Sequence, residues 1–262
     1  MAVAPTLSAT IAWLNAVIGL LDFVGSIWLL AWRVFKLTLQ GRANAALVSQ
    51  QMVALAINSI PIAMLVMAFA GATFAYVFVY ELGKYGQANL TGGLLLATLL
   101  RELLPAFTAI VLAGRSGAAI TSEIGSMKIS EQLDALRALS TDPHAYLTLP
   151  RVLAGVLMMP LVNVFAGYAG WYGGFWAAHN RNGMSYATFA GSVQQMVDTK
   201  YYNICVVKSI VFSVALVLVA CYYGFRAEGG AAGVGRVVTT GVVANIVLIF
   251  GLDLLITALM SK

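Results

Sequence analysis

Four ionisable residues interrupt long apolar runs in this chain: Arg101, Glu102, Lys208 and Asp253. A charge at bilayer depth costs about 2.5–3.5 kcal/mol even on the most lenient insertion scale, so such residues must face a cavity, a partner or one another. Lys208 and Asp253 fall towards the outer ends of their runs, where snorkelling or a structural pair accounts for them. Arg101-Glu102 lies about ten residues into its run and is followed by Pro105, a placement that points to function. An arginine beside a cavity offers a phosphate a forked, charge-assisted hydrogen bond. Glu102 balances that charge when the site is empty. The competing reading is a structural Arg–Glu pair that ties two helices.

Other patterns suggest chemistry and then fail on their partners. Gly114-Arg115-Ser116-Gly117 matches the G-x-S-G surround of an intramembrane serine nucleophile, which needs a base within hydrogen-bond reach. The only histidines, His144 and His179, fall in polar loops or at the ends of apolar runs. The stretch GGAAGVGR at 229–236 resembles a glycine-rich phosphate loop, but no Lys-Ser/Thr follows it, so a tight turn is expected there. Paired carboxylates, metal-ligand clusters and a Walker motif are absent from the sequence, so no cofactor is expected in this chain. Cys205 and Cys221 lie sixteen residues apart on one expected helix, roughly 24 Å, and cannot pair with each other.

Two stretches have the spacing of surfaces. From Ser130 to Ser140 a short amphipathic helix is expected, with Ser130 as N-cap, Glu131 and Asp134 in the first turn and Arg137 near the end. Leu133, Leu136 and Leu139 make one apolar stripe on it, and Asp142-Pro143 stops it. At about ten residues it spans roughly 15 Å, half the hydrocarbon thickness, so it lies at a surface. Phe69, Thr73, Tyr76 and Tyr80 recur at steps of four, three and four, one face of a helix.

The elements that must carry these residues are membrane helices. Of 262 residues 61% are hydrophobic and 10% charged, against about 25% charged in soluble domains. An all-α polytopic membrane protein with one domain over 1–262 is expected, and the net charge of +5 bears on orientation and not on nucleic acid. Residues 1–10 lack the positive n-region of a signal peptide. Residues 11–40 are apolar with a polar stripe (Asn15, Gly19, Asp22, Ser26, Arg33, Lys36, Gln40) and read as an interfacial amphipathic helix, with a spanning helix as the rival. Five spans follow at 53–80, 91–116, 152–178, 201–225 and 237–260, with Pro61 a candidate kink in the first. A short surface helix is expected over 186–197.

Lysine and arginine set the orientation. With the 116–151 loop in the cytoplasm, that side holds Arg115, Lys128, Arg137, Arg151, Arg226 and Arg236, joined by Arg33, Lys36 and Arg42. The other side holds Lys84, Arg181 and Lys200. The positive-inside rule gives a cytoplasmic N-terminus.

The run RELLPAFTAIVLAGRSGAAITSEIGSMKISEQLDALRALSTDPHAYLTLPRVLAG strongly resembles the MlaE-type permease family of lipid-transporting ABC systems. The resemblance continues through VKSIVFS at 207–213, GAAGVGR at 230–236 and the terminal GLDLLITALM, covering roughly 40–260. It implies a homodimer of five-span permeases with interfacial N-terminal helices, a cytoplasmic ATPase using ATP and Mg, and an MCE-domain periplasmic protein. The implied substrate is phospholipid, carried from or to the inner membrane of a diderm bacterium, with a plastid envelope as the lesser alternative. Phe69, Thr73, Tyr76, Tyr80, Arg101, Glu102 and Leu103 are the implied lipid contacts near the dimer axis. Glu123, Ser130, Glu131, Leu133, Asp134, Leu136 and Arg137 are the implied ATPase-coupling residues, the leucine stripe seating in a groove of the ATPase. Readings from other classes are an intramembrane serine protease around Gly114–Ser116 and an ATP-independent carrier.

Overall fold

The computed structural model describes residues 4–260, with side chains from Ile18 onward except Leu20. The side chain of Asn15 and those of residues 1–10 therefore lie outside the described residues. A long first helix, α1 (Ala4–Leu39), precedes five helices long and apolar enough to cross a bilayer: α2 (Ala45–Gly83), α3 (Ala88–Ile129), α5 (His144–Asn182), α8 (Thr199–Phe225) and α9 (Gly230–Met260). Short helices fill the connections: α4 (Gln132–Ala138) joins α3 to α5, while α6 (Tyr186–Gly191) and α7 (Val193–Met196) join α5 to α8.

The helices outrun the expected spans at both ends. α3 has 42 residues, about 63 Å at 1.5 Å per residue, twice the hydrocarbon thickness. Apolar composition marks only the part in lipid, whereas hydrogen-bonded backbone continues into water. α2 breaks at Ala56–Ser59, and a fresh helix starts at Ile60 with Pro61 in its first turn. Proline is tolerated there because the first-turn N–H groups have no helical acceptor to lose. The expected kink is thus a helix start. At the head of α8, the Asp198 side chain accepts from the Lys200 amide at 3.0 Å, and that bond holds its carboxyl below the usual carboxylate range.

α8 is the axis of the bundle. Its most apolar stretch is 72% buried, against 28% in α2 and 17% in α9. α2 and α5 form the most extensive helix pair. Their backbones meet at glycines: a Cβ on Gly71 would stand 2.0 Å from the Gly170 carbonyl oxygen, and one on Gly173 would stand 2.2 Å from that of Ala68. Lipid offers no hydrophobic drive between helices, so close backbone approach through small residues supplies the packing.

α1 is docked along one end of the bundle. Leu30, Val34 and Leu37 turn inward while Trp28 and Trp32 stay exposed. Two ion pairs hold its polar stripe, Arg33 to Asp142 at 3.1 Å and Asp22 to Arg226 at 3.2 Å. Asp142 precedes α5 and Arg226 follows α8, so both anchors sit at the α4 end, eleven residues of α1 apart.

Two turn expectations need correction. Ser130 does not cap α4: it ends α3, its hydroxyl donating to the Ser126 carbonyl at 2.8 Å. The reversal falls on Glu131, at φ 59, and α4 covers only Gln132–Ala138. The glycine-rich stretch is a turn only at Gly229 and Gly230, whose φ angles are positive; from Gly230 it is already α9.

Candidate functional site: a charge cluster at a π turn

α3 is interrupted by two π turns, Leu99–Leu103 and Ala113–Gly117. The first carries Arg101 and Glu102. Its cause can be read one turn on: Pro105 has no N–H, so the Arg101 carbonyl lacks its usual helical donor. The donor comes instead from α8, where Lys208 Nζ reaches that carbonyl at 2.8 Å. The same ammonium donates to Glu102 Oε2 at 2.7 Å and to Thr257 Oγ1 of α9 at 2.8 Å. Asp253 Oδ1 lies 2.8 Å from Nζ but has no hydrogen bond of its own, since the three ammonium hydrogens are already taken. Thr257 in turn donates towards Glu102 at 3.2 Å.

Three helices are therefore tied through one buried cation. Lys208 is fully enclosed, so it does not snorkel; the structural pairing expected for Lys208 and Asp253 holds, and Glu102 joins it. Arg101 Nε lies 3.5 Å from Glu102 Oε1, and its side chain is 40% exposed, the open pole of the group. Two cations face two carboxylates, so the cluster sums to zero at a depth where net charge is costly.

Of the other expected lipid contacts, Phe69, Thr73, Tyr76 and Tyr80 share one exposed face of α2, opposite the buried Ala63, Met67, Gly71, Ala75 and Val79. Leu103 is partly buried against the core. No hydrogen bond or ion pair among the described residues joins the α2 face to Arg101 or Glu102. The Arg181 guanidinium stacks over the Tyr76 ring at 4.9 Å, and a depression of about 570 Å³ lies between them and Trp176.

At the α4 end the expected coupling residues divide. Leu133 is 1% exposed and belongs to the chain's own core; Leu136 is half-buried and Leu139 is 76% exposed. The stripe therefore presents Leu139 and the edge of Leu136: steps of three residues drift by about 60° each around a helix, so Leu139, just past the end of α4, stands about 120° from the buried Leu133. Asp134 and Arg137 pair at 2.8 Å on its exposed side. Glu123 meets Arg151 Nη2 at 2.7 Å, clamping the end of α3 to the start of α5. Arg151 is buried, and reading it as a loop cation missed this.

The second π turn settles Ser116. Its hydroxyl donates to the Leu55 carbonyl at 2.7 Å and lies 3.1 Å from that of Ser59, to which Arg115 Nη1 also donates at 2.8 Å. His144 packs edge-on against Phe225 and His179 bonds the Met184 carbonyl, and neither is among the partners of the Ser116 hydroxyl, so no base serves it. The two cysteines are buried and free.

Fold and site together define a multi-pass helical membrane protein with a neutral charge cluster inside it and a short helix exposed between two spans. The chain belongs to the MlaE permease family, which it matches over residues 48–259. It is 38% identical to a probable ABC transporter permease of Synechocystis over 84% of each chain. It is 32% identical to the intermembrane phospholipid transport system permease MlaE of Haemophilus influenzae, over 84% of this chain and 85% of that one. The chloroplastic protein TRIGALACTOSYLDIACYLGLYCEROL 1 of Arabidopsis is also 32% identical, over 89% of this chain and 67% of its own length.

Proposed function

We propose that this chain is the permease subunit of an ABC transporter that moves phospholipids between a bacterial inner membrane and an MCE-domain periplasmic partner. Outer-membrane lipid supply or asymmetry is the purpose that follows. The observation that carries this reading is the charge cluster. Lys208 is sealed and saturated, whereas Arg101 leaves its fork partly free at an accessible edge of the bundle. A sealed cation holds helices; an open arginine offers a lipid phosphate a bidentate partner. Glu102 keeps that arginine balanced when no phosphate is present.

Two copies of the chain pair through the exposed face of α2, placing Phe69, Thr73, Tyr76 and Tyr80 around the acyl chains. The α4 end faces the cytoplasm, in line with its arginines and lysines, and Leu139 and Leu136 seat on an ATPase that supplies ATP hydrolysis with Mg. Replacing Arg101 and Glu102 by Gln and Leu in the reconstituted transporter tests the site. Loss of co-purified phospholipid and of transport, with dimer and ATPase retained, is expected. Unchanged lipid occupancy and transport in the folded double variant would overturn it.

A further inference from the structure

The charge cluster inside the bundle is neutral, but a second group of charges, at the α4 end, is not. Where α8 ends and α9 begins, Arg226 and Arg236 line one depression together with Asp22 of α1, over a floor of Phe23, Tyr222 and Tyr223. The rings pack edge to face, Phe23 on Tyr222 at 5.3 Å and Tyr222 on Tyr223 at 5.2 Å. Arg226 spends three of its five N–H groups locally, two on Asp22 Oδ2 and one on the Tyr222 hydroxyl. The Arg236 side chain has no hydrogen bond or ion pair among the described residues; it lies over the turn at Gly229, where a Cβ would stand 3.6 Å from Nη2. Glu228, in the same turn, lines no part of the depression and pairs with neither arginine. Two cations therefore face one carboxylate, an excess of one positive charge.

Depth and the adjoining surface decide what balances that charge. Arg226 lies eighteen residues beyond Lys208 along α8, about 27 Å, so the two groups sit at opposite faces of the hydrocarbon slab. Arginine and tyrosine at the end of a span belong to headgroup level. From Arg236, α9 turns one face outward through Thr240, Val243, Val247, Phe250 and Leu254, at steps of three and four that keep each within about 40° of a line through Arg236. The Thr240 hydroxyl is spent on the Arg236 carbonyl at 2.9 Å, and the last four side chains are apolar and more than half exposed. From Val243 to Leu254 they run about 17 Å, roughly one leaflet of hydrocarbon. A free anion would meet the arginines and leave this face unused; a zwitterionic lipid would cover the face and leave the charge unbalanced. A lipid of net charge minus one answers both. We propose that the depression between α1, α8 and α9 binds the phosphate of an anionic phospholipid from the leaflet on the α4 side, with an acyl chain laid along α9. The site is separate from Arg101–Glu102, and it rests on the chain spanning a membrane and on nothing in the transport reading.

The test uses the full-length chain carrying Arg101→Gln and Glu102→Leu, so that the other arginine does not contribute. The delipidated protein in detergent is titrated with phosphatidylglycerol or with phosphatidylcholine, and the lipid bound per chain is read by native mass spectrometry. The first phosphatidylglycerol is expected to bind at about fivefold lower concentration than the first phosphatidylcholine, the effect of one unpaired arginine on one anionic headgroup. Adding Arg236→Gln should bring the two curves together, with the thermal unfolding of the chain unchanged because that side chain bonds nothing. A large molar excess of inorganic phosphate should leave the bound phosphatidylglycerol in place. Coincident curves before Arg236→Gln would overturn the proposal, and so would a preference that survives it. Displacement by inorganic phosphate would make this a site for free anions and not for lipid. Release of the lipid when the transporter assembles would give the arginines to an acidic segment of a partner, and would equally overturn it.

Discussion

At the residue scale, Lys208 is the group whose removal has the clearest consequence. Its ammonium satisfies a carbonyl freed by Pro105, a carboxylate and a hydroxyl, and stands against a second carboxylate. Lys208→Met keeps the volume but leaves Glu102 and Asp253 without their shared cation. The loss should be about 3 kcal/mol, at the low end for breaking a buried pair, because both carboxylates retain some exposure. Thermal unfolding of the purified chain measures it. Adding Glu102→Gln to that background should return part of the loss, since one orphaned charge disappears; a further drop would mean that the cluster is not electrostatically balanced. Pro105→Ala works on the other partner. It restores an N–H to the Arg101 carbonyl and relaxes the π turn, so transport should fall while thermal stability stays level or rises. Unaltered transport in that variant would show that the π turn does not position Arg101.

The same residues show how far spacing alone could reach. Arg101 and Glu102 were legible because charge inside an apolar run is costly wherever it occurs, and Pro105 beside them marked a break. That all four charges gather in one cluster was not legible. Lys208 and Asp253 sit more than a hundred residues downstream, and only the packing of α3 against α8 and α9 makes them neighbours. Thr257 carried no signal at all, since a threonine in a membrane helix ordinarily bonds its own backbone. Arg151 failed differently: it lies beside a proline at a span's end, where lysine and arginine normally reach water, and only the Glu123 clamp reveals it as buried.

At the scale of elements, α4 is where structure alters an expectation of sequence. Three leucines at every third residue promised one docking stripe, but that spacing spreads them over about 120° of the helix, so Leu133 enters the core while Leu139 stays outside. Leu133→Glu should accordingly abolish folding, because it buries a charge with no partner. Leu139→Glu should fold normally, with the thermal stability of the parent chain, and lose the ATPase on purification. A Leu139→Glu chain that keeps its ATPase and full lipid-stimulated hydrolysis would remove α4 from the coupling surface. The spans themselves were legible to within a few turns because hydropathy reports the hydrocarbon slab. Their ends were not, because helix geometry persists after the slab is left.

At the scale of the whole molecule, burial is lopsided. α8 is enclosed by its own chain, while α2 and α9 leave most of their apolar surface outside. Exposure of that kind suits lipid as well as protein, but α2 sets two tyrosine hydroxyls, those of Tyr76 and Tyr80, on its outer face, polar groups that hydrocarbon does not reward, whereas the Thr73 hydroxyl is already spent on the Phe69 carbonyl. A second copy across a two-fold axis would set the same face of each chain against the other, as an isologous contact requires, and the residues nearest the axis would meet their own counterparts. Single cysteines test that arrangement. The native Cys205 and Cys221 are buried, so they leave a low background for surface oxidation in membranes. Phe69→Cys and Tyr76→Cys should each give a disulfide-linked dimer on mild oxidation, because a residue close to a two-fold axis meets itself within bonding distance. Leu161→Cys, exposed on α5 away from that face, should stay monomeric under the same treatment. Cross-linking at Leu161 with none at Phe69 or Tyr76 would move the dimer contact to α5, and the α2 face would then belong to lipid alone.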